Sequence, residues 1–169
     1  YKRQEKTSKI KITSIRYNES EVIREELSKP EPELFSKDSY IRWVNLDGLH
    51  NVEQLREMGN LLNIHILTLE DILNTEQRPK LEDYGDYYFI VLKMLSYDSK
   101  IRDIVEEQVS IVIKDNLIVT FQEKEGDVFQ PVRERINTAG TRLRRMGIDF
   151  LLYALMDAII DNYFIILEK

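Results

Sequence analysis

Acidic side chains recur at helical spacing near the end of the chain. Asp149, Tyr153, Asp157 and Asp161 are four residues apart, so they form one ridge of a predicted helix. Like charges at this spacing destabilise a helix by roughly 0.2–0.5 kcal/mol, and apolar residues occupy nearly every other direction around this one. Such a helix is buried on more than one side, which indicates a partner, either another subunit or a further segment. The ridge is then either a narrow solvent-exposed stripe or a cation site at a packed interface.

Composition limits the chemistry of any such site. The sequence has no cysteine and two histidines, His50 and His65, so a metal would be held mostly by oxygen. The lack of cysteine also excludes disulfides, thiolate zinc sites and iron–sulfur clusters. A dinucleotide-binding G-x-G-x-x-G, a P-loop, a G-x-S-x-G and an H-E-x-x-H are all missing. We therefore do not expect an enzyme.

A second acidic pair, Glu70 and Asp71, lies in the predicted first turn of a short helix. Asp71 comes three residues after Thr68, where a carboxylate can return a hydrogen bond to the capping residue and suits the helix dipole. On the residues alone, this spacing favours a capping role for Asp71, and Glu70 needs no special role.

Five arginines cluster late in the chain. Clustered guanidinium groups can hold phosphates, which would suit a soluble anion-binding module. The net charge of −6 and the lack of interleaved aromatic residues favour a solvated helix–turn–helix corner instead. The same charge disfavours a nucleic-acid partner. The five are Arg133, Arg135, Arg142, Arg144 and Arg145.

Apolar periodicity predicts the elements that position these side chains. Strands are predicted at residues 10–17, 40–46, 80–84, 87–97, 104–113 and 117–122, the last two forming a hairpin. Helices are predicted at residues 21–27, 52–62, 68–74, 129–137 and from 148 onwards. This order indicates an α/β fold, a mixed β-sheet sandwiched between helices in αβα layers, with a C-terminal helix that projects from the domain. Trp43 and the strand from Tyr87 to Leu95 are predicted to be core.

The domain organisation follows from charge and apolar runs. Residues 1–8 are predicted to be a basic disordered tail, residues 9–146 the α/β domain, and residues 147–169 a truncated helix. Because the chain begins at Tyr1 and ends without a helix stop signal, we expect it to be a fragment whose last helix continues. No uninterrupted stretch reaches the roughly 18–20 apolar residues that cross a bilayer, since Asp157, Asp161 and Asn162 interrupt the longest, Phe150 to Leu167.

Taken together, several ordered motifs resemble the cytoplasmic domain of the CorA family of magnesium and cobalt transport proteins. The densest similarity runs from the L-E-D-I-L-N segment at Leu69–Asn74 through R-P-K at Arg78–Lys80 to the aromatic-rich strand at Tyr87–Met94. W-V-N-L-D-G at Trp43–Gly48 and the segment Asp149–Asp157 extend it. The resemblance covers nearly all of residues 40–169, and the first 35 or so residues match poorly.

This resemblance implies a function that the residues alone do not. CorA proteins are homopentamers that continue into a stalk and membrane helices, and their cytoplasmic domains bind divalent cations between neighbouring subunits. The matching residues here are Glu70, Asp71 and Asp157, with Mg²⁺ as the expected ion and Co²⁺ or another divalent cation able to substitute. The resemblance thus implies a metal-sensing, gating domain on the cytoplasmic side of a cell membrane, attached to the membrane only through helices that this chain lacks. A zinc- or cobalt-directed relative and a soluble anion-binding module remain the alternatives.

Overall fold

The computed structural model describes residues 10–168 of the chain. The predicted basic tail, residues 1–8, lies outside the described residues. Within them are a short 3₁₀ helix (Pro32–Phe35), seven strands and five α-helices. The strands are β1 (Lys11–Tyr17), β2 (Val22–Leu27), β3 (Ile41–Asp47), β4 (Lys80–Asp83), β5 (Tyr88–Asp98), β6 (Asp103–Lys114) and β7 (Leu117–Gln122). The helices are α1 (Val52–Leu62), α2 (Ile66–Leu73), α3 (Gln130–Asn137), α4 (Arg142–Arg145) and α5 (Ile148–Leu167).

The strands form one mixed sheet in the order β2-β1-β3-β7-β6-β5-β4. The pairs are antiparallel, except that β3 and β7 run parallel in the middle of the sheet. A parallel pair needs a long crossover, and the chain between β3 and β7 supplies it with α1, α2 and strands β4 to β6. The predicted hairpin between β6 and β7 is confirmed, with Asp115 in the left-handed conformation that its tight turn requires.

Each face of the sheet carries its own hydrophobic core. Val44, Phe89 and Val119 of the strands pack in one core with α1 and α2. The alternate strand residues, such as Trp43 and Ile90, pack in the other core with α3, α4 and α5. Helices therefore cover both faces, which confirms the predicted αβα layers. Trp43 is 1% exposed and Ile90 6%, so these predicted core positions are confirmed, whereas Tyr88 of the same predicted core strand is 49% exposed.

Residues 21–27, predicted as a helix, instead form the edge strand β2, and that prediction is wrong. The Asn18 carboxamide oxygen accepts hydrogen bonds from the backbone N–H groups of Ser20 and Glu21. These bonds close a turn rather than cap a helix, and β2 then pairs antiparallel with β1. An Asn side chain supports either structure locally, so the pairing with β1 determines the outcome.

The final helix α5 begins at Ile148, as predicted. Its first three turns lie against the sheet through Leu151, Leu155 and Ile159, all 2% exposed or less. Within its last turns Phe164 and Leu167 are largely exposed. Among the described residues, α5 is long and apolar enough to cross a membrane by length and composition, a test that the core helix of a soluble protein also passes.

Candidate functional site

The acidic pair Glu70–Asp71 is positioned by the way α2 is fastened to the sheet. His65 caps α2: its Nδ1 accepts a hydrogen bond from the Leu67 N–H at 3.0 Å. The Tyr87 hydroxyl, at the start of β5, accepts the His65 N–H at 3.0 Å and lies 2.7 Å from the Thr68 hydroxyl. Both Thr68 and Tyr87 are buried. These contacts fix the first turn of α2 over the sheet and leave the opposite side of the helix facing outward.

The predicted capping role of Asp71 is wrong, because α2 begins two residues earlier than expected. Thr68 lies inside the helix rather than at its N-cap, so Glu70 and Asp71 belong to the last half of α2, near its C-terminus. The C-terminal end of a helix carries partial negative charge and favours cations, not carboxylates. Two acidic side chains at this end therefore destabilise the helix unless a positive charge lies close to them.

Lys80 of β4 supplies part of that charge. Its ammonium Nζ lies 2.6 Å from Asp71 Oδ2 and 3.3 Å from Glu82 Oε1. The hydrogen bond to Asp71 raises the pKa of Lys80 above its usual range, so the ammonium form is reinforced. The side chains of Lys80 and Asp71 are 31% and 30% exposed, so the pair is open to solvent. Glu70, next to Asp71, is exposed.

Asp157 lies on α5, in the other helical layer. It is half-buried, whereas Asp149, Tyr153 and Asp161 of the same ridge are exposed. Large apolar side chains are exposed in the ridge and beside it: Tyr153 is 60% exposed and Ile160 47%. The acidic ridge therefore faces outward within an apolar surface, on the opposite side of the sheet from Glu70 and Asp71.

The chain does not bring its three predicted metal ligands together. In residues 10–168, no cluster of three or more Asp, Glu or His side chains is close enough to hold a metal ion. Carboxylate oxygens are the ligands that Mg²⁺ prefers, and Mg²⁺ keeps several of its waters. By donor chemistry, Glu70 and Asp71 thus fit one half of a hydrated divalent-cation site and Asp157 fits another half. Within residues 10–168 neither half gains a third acidic or histidine ligand.

Two residues of the arginine cluster are structural and largely buried, which differs from the predicted solvated corner. The Arg133 guanidinium holds the Asp127 carboxylate with two hydrogen bonds of 2.9 and 2.6 Å and stacks over the Trp43 ring. Arg144 is 5% exposed and donates to the backbone carbonyls of Asn18, Glu19 and Ile136. These two guanidinium groups are therefore already occupied by groups of the same chain.

A chain of buried hydrogen bonds ends at another acidic residue, Asp47. The Trp43 indole N–H donates to the Thr120 hydroxyl at 3.0 Å, which donates to the Asn45 carboxamide oxygen at 2.5 Å. Asn45 in turn donates to Asp47 Oδ1 at 3.1 Å. Burial raises the pKa of Asp47 to about 6; the Asn45 hydrogen bond opposes the shift, and the nearby Asp127 carboxylate adds to it. Asp47 was not among the predicted site residues.

Comparison with known proteins assigns the chain to a family. Residues 38–169 match the sequence profile of the family described as CorA-like Mg²⁺ transporter protein. The chain belongs to the CorA family. A cobalt/magnesium transport protein CorA of Thermotoga maritima is 47% identical over 135 residues, which are 80% of this chain and 38% of that protein. The chain thus spans well under half the length of this CorA relative.

Solved CorA-type structures share the fold. The soluble domain of CorA from Methanocaldococcus jannaschii superposes with a TM-score of 0.70 at 22% identity, covering 93% of this chain and 58% of that one. The ZntB cytoplasmic domain from Vibrio parahaemolyticus gives 0.67 at 10% identity, covering 93% and 61%. At these identities the likeness shows the α/β fold alone, so it does not separate the CorA-like alternatives by ion.

Sequence reasoning missed Lys80 as a contact of Asp71, although the R-P-K motif that contains it was part of the CorA resemblance. The two residues are nine positions apart and lie on different elements, so no helical or strand spacing relates them. The role of Thr68 was also missed, because its partner Tyr87 is 19 residues away, immediately before β5. Only the fold brings these groups together.

Proposed function

We propose that this chain is the cytoplasmic regulatory domain of a CorA-type divalent-cation transporter. In this proposal Mg²⁺, or Co²⁺ in its place, binds between neighbouring copies through Glu70 and Asp71 of one copy and Asp157 of the next. The bound ion holds the closed arrangement of a homopentamer. The domain lies on the cytoplasmic side of a cell membrane, and other parts of the protein cross it. Membership of the CorA family supports this assignment.

The observation that carries the proposal is the separation of the acidic half-sites. Glu70 and Asp71 are presented by the layer of α1 and α2, and Asp157 by the layer of α3 to α5. Neither half has enough ligands for a metal ion within residues 10–168. Two exposed half-sites on opposite sides of one domain suit a cation that joins two domains.

The surface around Asp157 supports an interface as well. Tyr153 and Phe164, 60% and 61% exposed, lie beside the acidic ridge of α5. Apolar side chains in an exposed group are typical of protein contact surfaces. A carboxylate in such a surface lowers the stability of the contact unless a cation neutralises it, because packing removes its water.

The same arrangement explains how ion concentration would control the channel. A cation that binds across two subunits stabilises only the arrangement that brings its ligands together. A site made of a few carboxylates that contact the ion partly through water binds Mg²⁺ weakly, as a sensor of an abundant ion requires. When the ion dissociates, the carboxylates repel one another and the closed packing loosens.

The proposal is tested by limited proteolysis of the full-length protein over a range of Mg²⁺ concentrations. We compare the wild type with Asp71→Asn, Asp157→Asn and, as a control, Asp86→Asn, which removes an exposed carboxylate elsewhere on the domain. The first two variants are expected to need more Mg²⁺ for the same protection, whereas the control matches the wild type. Equal Mg²⁺ concentrations for all four proteins would show that these carboxylates are not the sensor.

A further inference from the structure

The contact between Lys80 and Asp71 suggests a further element of control. The Lys80 ammonium donates a hydrogen bond to Asp71 Oδ2 at 2.6 Å. The proposed function assigns this same carboxylate to a divalent cation. We propose that Lys80 is a built-in competitor for that cation, so that its ammonium group sets the Mg²⁺ concentration at which the Asp71 half-site fills. This inference rests on the proposed function and adds a residue to it.

Lys80 is held in place for this role. It is the first residue of the edge strand β4, which pairs with β5. Its ammonium group also lies 3.3 Å from Glu82 Oε1, and it sits over the Phe89 ring at 5.7 Å from the ring centre. A lysine restrained by its strand, a second carboxylate and an aromatic ring loses less side-chain entropy in contacting Asp71 than a free one would. Lys80 is thus a pre-organised counter-ion.

The two cations exclude each other on electrostatic grounds. A divalent ion at Asp71 would lie within a few ångströms of the ammonium group, and like charges at that distance repel even in water. Either Lys80 leaves Asp71 and stays with Glu82, or the ion binds more weakly. In both cases Lys80 raises the Mg²⁺ concentration needed. Glu82 can still pair with the displaced ammonium group, which keeps the exchange reversible.

Lys80 also affects the stability of the metal-free protein. When Mg²⁺ dissociates, the Lys80 ammonium neutralises Asp71 near the negative end of α2. The domain then does not carry two uncompensated carboxylates at this helix end. Lys80 therefore limits the repulsion that would otherwise destabilise α2 in the metal-free protein.

The test is a Mg²⁺ titration of the full-length protein at constant ionic strength, followed by its protection from limited proteolysis, because the site needs a second copy. Lys80→Met removes the charge but keeps most of the side-chain stem over Phe89. Lys11→Met is the matched control, because Lys11 also bridges two carboxylates, Glu26 at 4.0 Å and Glu125 at 3.4 Å. Lys80→Arg keeps a cation at the site.

We expect the titration midpoint of Lys80→Met to fall by about two- to fivefold, the range that removal of a partly exposed ion pair allows. Lys11→Met and Lys80→Arg should stay near the wild type. An unchanged or higher midpoint for Lys80→Met, with a normal wild-type titration, would overturn the role of Lys80 and leave the proposed function standing. If the wild type itself shows no Mg²⁺-dependent protection, the metal site between copies is absent and both proposals fall. Lys80→Gln serves as a second neutral variant if the methionine variant does not fold.

Discussion

The hydroxyl groups of Thr68 and Tyr87 lie 2.7 Å apart in the core, and this contact joins the middle of α2 to the start of β5. The same Tyr87 oxygen accepts the His65 N–H that precedes the helix. One phenol group thus determines where α2 begins and which side of it faces outward. Because Glu70 and Asp71 follow Thr68 directly, their position depends on this buried contact.

Replacing Tyr87 with Phe is therefore expected to destabilise the domain by about 1–2 kcal/mol, since it leaves a buried hydroxyl and a backbone N–H without their partner. The measurement is urea unfolding followed by the fluorescence of Trp43, the single tryptophan of the chain. Tyr88→Phe is the control, because the neighbouring Tyr88 is 49% exposed. Equal stability of the two variants would contradict the assigned role of the Tyr87 hydroxyl.

The sheet core allows a matched pair of substitutions at one position of the β4–β5 ladder. Ile90 and Leu81 are directly opposite each other in register, yet Ile90 is 6% exposed and Leu81 66%. Ile90→Ala should cost about 2–5 kcal/mol through lost burial and a residual cavity. Leu81→Ala should change stability by less than about 0.5 kcal/mol. The free energies of unfolding in urea provide the comparison, and a loss below about 0.5 kcal/mol for Ile90→Ala would show that this face of β5 is not core.

Asp47 predicts a pH dependence of stability. Burial raises its folded-state pKa from 3.8 to about 6, so the charged form destabilises the fold above pH 6, and this penalty disappears as the pH falls towards 4. Asp47→Asn removes the charge but keeps an oxygen that can accept the Asn45 hydrogen bond. The variant should be more stable than the wild type at pH 7.5, by up to about 3 kcal/mol, and no more stable at pH 4.

The quantity to measure is the difference in unfolding free energy between Asp47→Asn and the wild type at several pH values. Burial also raises the pKa of Glu107 to about 7, but Glu107 titrates in both proteins and cancels in the difference. Asp86→Asn, at an exposed position, is the control. A difference that does not change between pH 4 and pH 7.5 would mean that Asp47 is not buried as described.

The arginine cluster gives the fourth prediction. Arg144 ties the turn between β1 and β2 to the end of α3 through three backbone carbonyls, at 2.8, 3.0 and 3.2 Å. Arg144→Ala leaves these acceptors without their charged donor and should cost about 2–3 kcal/mol. Arg145→Ala, at the exposed neighbouring position, should have little effect. Thermal unfolding of both variants makes the comparison, and similar melting temperatures would argue that the guanidinium of Arg144 is not structural.

The apolar pattern was sufficient to predict most of the architecture. Helix α1 and strand β7 were predicted at the observed residues, because α1 has helical apolar spacing and β7 is a short, mostly apolar run bounded by turn residues. The errors occurred where a short polar signal supports two structures. Asn18 closes a turn before an edge strand instead of capping a helix, and the start of α2 depends on a hydrogen bond to Tyr87, 19 residues after Thr68.

The candidate site, too, was predicted only in part from the sequence. The acidic residues Glu70, Asp71 and Asp157 were selected through family resemblance, and their role as metal ligands remains a prediction. Local sequence did not predict that Asp71 lies near the C-terminus of α2 or that Lys80 contacts it, because both facts depend on how β4 is placed beside α2. Contacts between distant segments are decided by packing, which a single sequence does not display.

The placement of the two acidic half-sites on opposite layers of the sheet has a consequence for symmetry. If Glu70 and Asp71 of one copy share an ion with Asp157 of another, the two sides of the junction are different surfaces. A two-fold dimer joins identical, self-complementary patches, so it does not satisfy this contact. Copies must instead associate head to tail, which gives a closed ring when the rotation between neighbours divides a full turn and an open filament when it does not. In a closed ring the number of metal junctions equals the number of subunits, and no half-site is left over.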